Sequence, residues 1–180
     1  MSRVYLPLIL TLLIVLQGAA VQLVPTSISE AGWIVVIHSV LLFLILLKLF
    51  YDLENTYYVL IFAILSGLII DIIYTDIIGV YMFSYSILVF FVHGMRKVLH
   101  ANFYVATMLT FVSIGVVDFL LYLIYQFIGV VRMDLTVYLS HRLMPTLIVN
   151  MILFFLFYLL LKKRLVKWSN ERFDHKQSAH

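Results

Sequence analysis

Asp71 and Asp76 interrupt the apolar run LSGLIIDIIYTDIIGVY at residues 65–81, and Asp118 interrupts a second apolar run at 103–128. A carboxylate in hydrocarbon costs roughly 2.5–3.5 kcal/mol on insertion scales, so each acid needs a partner, a chemical task or water. Two carboxylates at similar depth suit general acid–base work, with one keeping a proton while the other activates water.

That chemistry finds little support around the acids. Prolipoprotein signal peptidases use it at about this chain length, but with four spans and asparagine-containing motifs that this sequence lacks. An intramembrane aspartyl hydrolase is therefore a remote alternative. Serine chemistry lacks a GxSxG element, since Ser66-Gly67 stands alone. The histidines, at 38, 93, 100, 141, 175 and 180, form no HExxH and no pair at ligand spacing on a helix face. His38 and His93 read as satisfied interior or interfacial side chains. With no cysteine, disulfides, thiolate metal sites and cysteine nucleophiles are excluded. The reading is of a non-enzyme with no catalytic residue, metal or cofactor.

The acids read better as structural groups. Ala63, Gly67 and Asp71 recur every four residues and share one helix face, with Ser66 beside them. Small residues at this spacing let another helix approach closely, so Ala63, Ser66, Gly67 and the turn glycine Gly79 form the expected packing or partner interface. In the second run Thr107, Gly115, Asp118, Tyr122 and Gln126 fall within about 100° on a helical wheel. Together with Asp71, Arg142 and Asn150, the residues Asp118, Tyr122 and Gln126 make up the expected buried polar network. Either acid could pair with Arg142 at the head of the last apolar run, and Asp71 is the favoured partner. Asn150 reads as a strut between helices, and Pro145 as a first-turn proline whose missing N–H does little harm.

The elements that must position these groups follow from composition. Of 180 residues, 64% are hydrophobic and 12% charged, where a soluble domain is about a quarter charged. The chain is an all-helical integral membrane protein with no hidden soluble domain. A spanning helix needs about 20 apolar residues, and six such blocks lie at approximately 4–24, 33–51, 57–75, 79–95, 103–128 and 143–161. The basic, apolar and then small-residue start resembles a signal peptide. Because its apolar character continues through Val24, it reads as an uncleaved first span.

Charge orients the bundle. With both termini inside, the inner segments hold Arg3, Lys48, Arg96, Lys97, Lys162, Lys163, Arg164, Lys167, Arg172 and Lys176, and the outer ones only Arg132 and Arg142. The net charge of +3 thus reflects topology and not a nucleic-acid partner. Lys162, Lys163, Arg164, Lys167 and Trp168 form a membrane-surface anchor attracted to anionic lipid. Residues 1–164 form the membrane domain and 165–180 a basic, polar cytoplasmic tail, of which the end, SNERFDHKQSAH, reads as disordered.

The stretch GLIIDIIYTDIIGVYMFSYSILVFFVHGMRK, residues 67–97, resembles the MreD family of bacterial rod shape-determining membrane proteins. Gly67, Leu68, Asp71 and Gly79 carry the likeness, with a weaker echo in Pro145 and Asn150. The resemblance implies a six-helix bundle similar to the substrate-binding subunits of energy-coupling-factor transporters. It also implies a multi-pass place in the bacterial inner membrane and a scaffold role in cell-wall elongation. MreC would be the direct partner. MreB, RodA and a class B penicillin-binding protein would be reached through it, and self-association stays open. A vitamin-binding transport subunit is the alternative.

Overall fold

The computed structural model describes residues 2–20, 32–53 and 56–173. Among them are six long helices and no strand: α1 (Ser2–Ala20), α2 (Ser39–Phe50), α3 (Tyr58–Tyr74), α4 (Val80–Val98), α5 (Phe103–Ile128) and α7 (Met144–Phe173). Before α7 come one short turn, α6 (Leu135–Tyr138), and a π-helical segment at Leu139–Leu143. Residues 21–24 of the expected first span lie outside the described residues.

The sequence of α2, SVLLFLILLKLF, has no polar face, and a helix that is apolar all round belongs in an interior. All twelve of its residues are buried, and α1, α3, α4, α5 and α7 pack around it. The expected helix at 33–51 is therefore corrected, because only its second part is helical. Twelve residues rise about 18 Å, well short of a hydrocarbon core of about 30 Å. Residues 33–38, with the β-branched run Ile34-Val35-Val36-Ile37, instead have no regular secondary structure, and bonds at the alternate residues 34, 36 and 38 give them the spacing of an extended strap.

The strap is hydrogen-bonded along one edge to the last helical run. Ile34 N–H donates to the His141 carbonyl at 2.8 Å, and Val36 N–H to Thr146 Oγ1 at 3.1 Å. Asn150 Nδ2 donates to the Val36 carbonyl at 2.7 Å, while its Oδ1 accepts His38 N–H at 2.8 Å. The two elements match in length: the four extended steps from residue 34 to 38 cover about 13 Å, as do the nine helical steps from 141 to 150. Pro145 explains why the first acceptor is free. It has no N–H to offer the carbonyl four residues back, and that carbonyl is His141. The missing N–H, expected to do little harm, in fact leaves the strap its anchor.

α3 and α4 form a tight hairpin. A Cβ on Gly67 would lie 2.6 Å from Met82 Cα, so only glycine admits the N-terminal turn of α4 at this distance. Ala63, Ser66 and Gly67 are buried, and at Gly67 the expected packing-or-partner face meets the chain's own next helix. Gly79 serves as a turn and not as a packing surface: its φ is +108° and a Cβ there would meet open space.

The last helix also departs from expectation, since it continues through Phe173 and takes in the first part of the expected tail. Leu165 is buried, Trp168 stacks on Tyr5 with ring centroids 5.9 Å apart, and Ser169 Oγ donates to the Tyr51 carbonyl at 2.8 Å. The Arg172 guanidinium lies 4.2 Å from the Tyr58 ring centroid. Contacts with the rest of the bundle, which polarity alone does not reveal, hold this segment helical.

Two substitutions check the architecture. Gly67→Val should cost about 1–3 kcal/mol by overpacking the α3–α4 contact, and Asn150→Leu should cost at least as much by leaving strap peptide groups unpaired. Thermal unfolding in detergent reads both, and an unchanged melting temperature for Gly67→Val would sink the close-approach account.

Candidate functional site

Asp118, fully buried on α5, gathers the polar side chains at the His38 end of α2. Tyr138 Oη, from α6, donates to its Oδ2 at 2.9 Å. Arg142, from the π-helical segment, donates to its Oδ1 from Nη2 at 3.1 Å and from Nε at 3.3 Å. His38 Nε2 stands 3.9 Å from the same oxygen, while His38 Nδ1 lies 3.1 Å from Tyr85 Oη on α4. Four segments of the chain thus meet at one carboxylate, and α4 joins through the contact of Tyr85 with His38. π-Helical turns, which recur at functional sites, here bring Arg142 into the cluster. Tyr122 joins by stacking on Tyr138 at 4.1 Å, and its hydroxyl donates to the Met133 carbonyl at 2.8 Å, tying down the loop after α5.

The favoured pairing of Asp71 with Arg142 is corrected by this geometry. Asp71 accepts the backbone N–H groups of Gly79 at 2.9 Å, Tyr81 at 2.9 Å and Met82 at 3.0 Å. It caps α4 from the preceding helix and satisfies donors that a helix N-terminus leaves open. Asp71 lies near the end of its own helix and 8–11 residues before these three partners, so it needs no arginine. Asp76 is exposed at the turn.

Gln126 is exposed and does not enter the network. The inward face of α5 is centred on Thr110, Val117 and Leu121, about 80° from Asp118 on the wheel. Asp118 and Tyr122 sit at the edge of that face, and Gln126 lies beyond it. Asn150 is buried, but its partners are the strap and Thr146, not the acids.

Three groups outside the expected network matter as much. Gln17 of α1 accepts Val40 N–H and the Ser39 hydroxyl, both at 3.2 Å, and so caps α2. At the other end of α2, Lys48 is buried and donates to Asp52 at 2.8 Å and to the carbonyls of Leu53 at 3.1 Å and Thr56 at 2.8 Å. Asp52 also accepts the Thr56 hydroxyl. The i, i+4 spacing of Lys48 and Asp52 is a signal visible in sequence. Of the expected surface anchor, Lys162 turns inward to Tyr158 Oη at 2.6 Å and over the Phe50 ring, and Trp168 covers Tyr5. Lys163, Arg164 and Lys167 remain exposed.

Beside the Asp118 cluster lies a cavity of about 630 Å³, whose lining includes Gln17, Val35, Ile37, Tyr81, Tyr125 and Arg142. Its mixed apolar and polar walls suit an amphipathic occupant. The outside of the molecule is greasy: Phe127 is 92% exposed and Leu159 76%. Phe103–Ile128 and Leu135–Arg172 are each long and apolar enough to cross a membrane. An apolar exterior around paired interior charges reverses the order of a water-soluble protein and suits a lipid surround.

The class defined by this fold and site is a helical membrane protein with buried polar clusters in an apolar core. The family model "rod shape-determining protein MreD" matches residues 2–167, and the chain belongs to that family, which gives it a role in rod shape determination. It is similar to the rod shape-determining protein MreD of Bacillus subtilis (strain 168), 26% identical over 172 residues, covering 92% of this chain and 98% of that one. No solved structure matches.

Loss of one partner from a buried ion pair costs about 3–5 kcal/mol, so Asp118→Ala and Arg142→Ala should each lower the melting temperature sharply. Exchanging the pair as Asp118→Arg with Arg142→Asp should restore part of the loss. The double change Asp71→Arg with Arg142→Asp should restore none, and recovery there would contradict the assignment.

Proposed function

We infer that the protein is a multi-pass scaffold of the bacterial inner membrane, with both termini inside. In this reading it acts in the complex that elongates the cell wall. It binds MreC by helix and loop contacts and positions the peptidoglycan synthases, RodA and a class B penicillin-binding protein, with MreB reached indirectly. Residues 1–164 form the membrane domain, and the basic end of α7 meets the inner surface. The observation that carries the reading is family membership over residues 2–167.

Physical features support it. The interior polar groups are engaged with one another, as befits a rigid body that presents surfaces to others. With the Ala63/Gly67 face occupied by α4, contact with MreC falls to the exposed apolar helix faces and to the loops. Lys97, Lys163, Arg164 and Lys167 are exposed at the Lys48 end, as an inner surface facing anionic lipid would require.

The cavity beside Arg142 sustains a second reading, that of a solute-binding transport subunit. Affinity purification from native membranes separates the two. MreC should co-purify, and recovery of coupling ATPases in its place would overturn the scaffold reading.

A further inference from the structure

Among the described residues, the strap at 33–38 finds hydrogen-bond partners along one of its two edges. The peptide groups of Ile34, Val36 and His38 point to the last helical run, where His141, Thr146 and Asn150 receive them. Along an extended chain, alternate residues direct their peptide groups to opposite sides. Those of Val35 and Ile37 therefore point away from α7, and among the described residues they make no hydrogen bond. Both residues line the cavity of about 630 Å³ beside Arg142.

Two N–H and two C=O groups at strand spacing form a template for a second strand. A span's backbone needs partners wherever hydrocarbon replaces water, so this edge calls for an occupant or for solvent. A small solute satisfies one or two of the four groups. An extended peptide satisfies all four at the repeat of the strap and sends alternate side chains into the cavity. The same cavity is lined by the apolar Ile70, Ile77, Val130 and Val131 and by the polar Asp76 and Arg142, which suits a segment with both kinds of side chain.

The geometry points to the second edge of the strap, at Val35 and Ile37, as a docking strand for an extended, amphipathic segment of a protein partner, added as a second strand within the cavity. This rests on the scaffold reading for the existence of a protein partner, but not for the partner's identity.

Photo-crosslinking in native membranes tests it on the full chain. A photoreactive residue replaces Val35 or Ile37, or Ile152 on an exposed face as a control, and adducts are mapped by mass spectrometry. The expected result is adducts from positions 35 and 37 at residues two apart in one partner segment, which the control does not reach. Adducts to lipid alone, adducts to a second copy of this chain, equal capture of the same segment at 152, or no adduct would each overturn the proposal.

A second measurement isolates the backbone. Val35→Pro with Ile37→Pro removes the two edge donors and leaves the bonds to the last helical run, and extended geometry accepts proline. Val35→Ala with Ile37→Ala keeps the donors. With the crosslinker at Ile77, the proline pair should lower adduct yield by about tenfold or more, as expected for two lost hydrogen bonds. The alanine pair should leave the yield within about twofold, and equal loss in both pairs would remove the strand-pairing account. Retained MreC co-purification without strap adducts overturns this proposal alone. Strap adducts in register to a protein other than MreC overturn the MreC assignment and leave the strap site standing.

Discussion

A twelve-residue helix enclosed on every side sets the terms for the rest of the molecule. α2 is apolar all round and fully buried, yet at about 18 Å it is too short for a membrane core of about 30 Å. The chain covers the remaining depth as an extended strap, and an extended backbone in such surroundings must find hydrogen bonds outside itself. Asn150, Thr146 and the carbonyl freed by Pro145 meet that demand on one edge. Because the strap runs along the last helical run, His38 at its end is carried to Asp118, and the polar cluster assembles there.

Both ends of α2 are closed by buried charge. His38 approaches the Asp118–Arg142 pair at one end, and Lys48 meets Asp52 at the other. Burying ions costs several kcal/mol each, and a well-placed partner with further hydrogen bonds offsets that cost. The consequence for architecture is register. A slip of α2 by one turn would leave Lys48 and His38 among leucine and isoleucine side chains with no partner. Gln17 adds a third constraint by capping the first turn of α2.

A helical protein in a lipid bilayer has to keep its interior invariant while its exterior meets lipid and protein. The interior here is held by directional bonds, and the exterior is mostly apolar. The α3–α4 hairpin follows the same division, since Asp71 and Gly67 are used wholly within the chain. What remains for recognition is the outer apolar faces, the exposed basic side chains and the cavity beside the strap.

Much was legible in the sequence alone. Composition and the spacing of apolar runs determined an all-helical membrane protein, because a backbone in lipid must bond within itself. The burial of Asp71, Asp118 and Asn150 followed from the cost of polar groups in hydrocarbon, and the close approach at Gly67 from small residues at intervals of four. The tertiary structure alone decided which acid meets Arg142. Asp71 is taken by three N–H groups only 8–11 residues ahead, whereas Arg142 reaches Asp118 across 24 residues through a π-helical turn. It also decided that residues 33–38 are not helical and that residues 165–173 are. In both cases the partner lies more than a hundred residues away: Asn150 for His38, and Tyr51 for Ser169. Periodicity reports which face of a segment is apolar, and it holds no information about which distant group will satisfy its polar atoms.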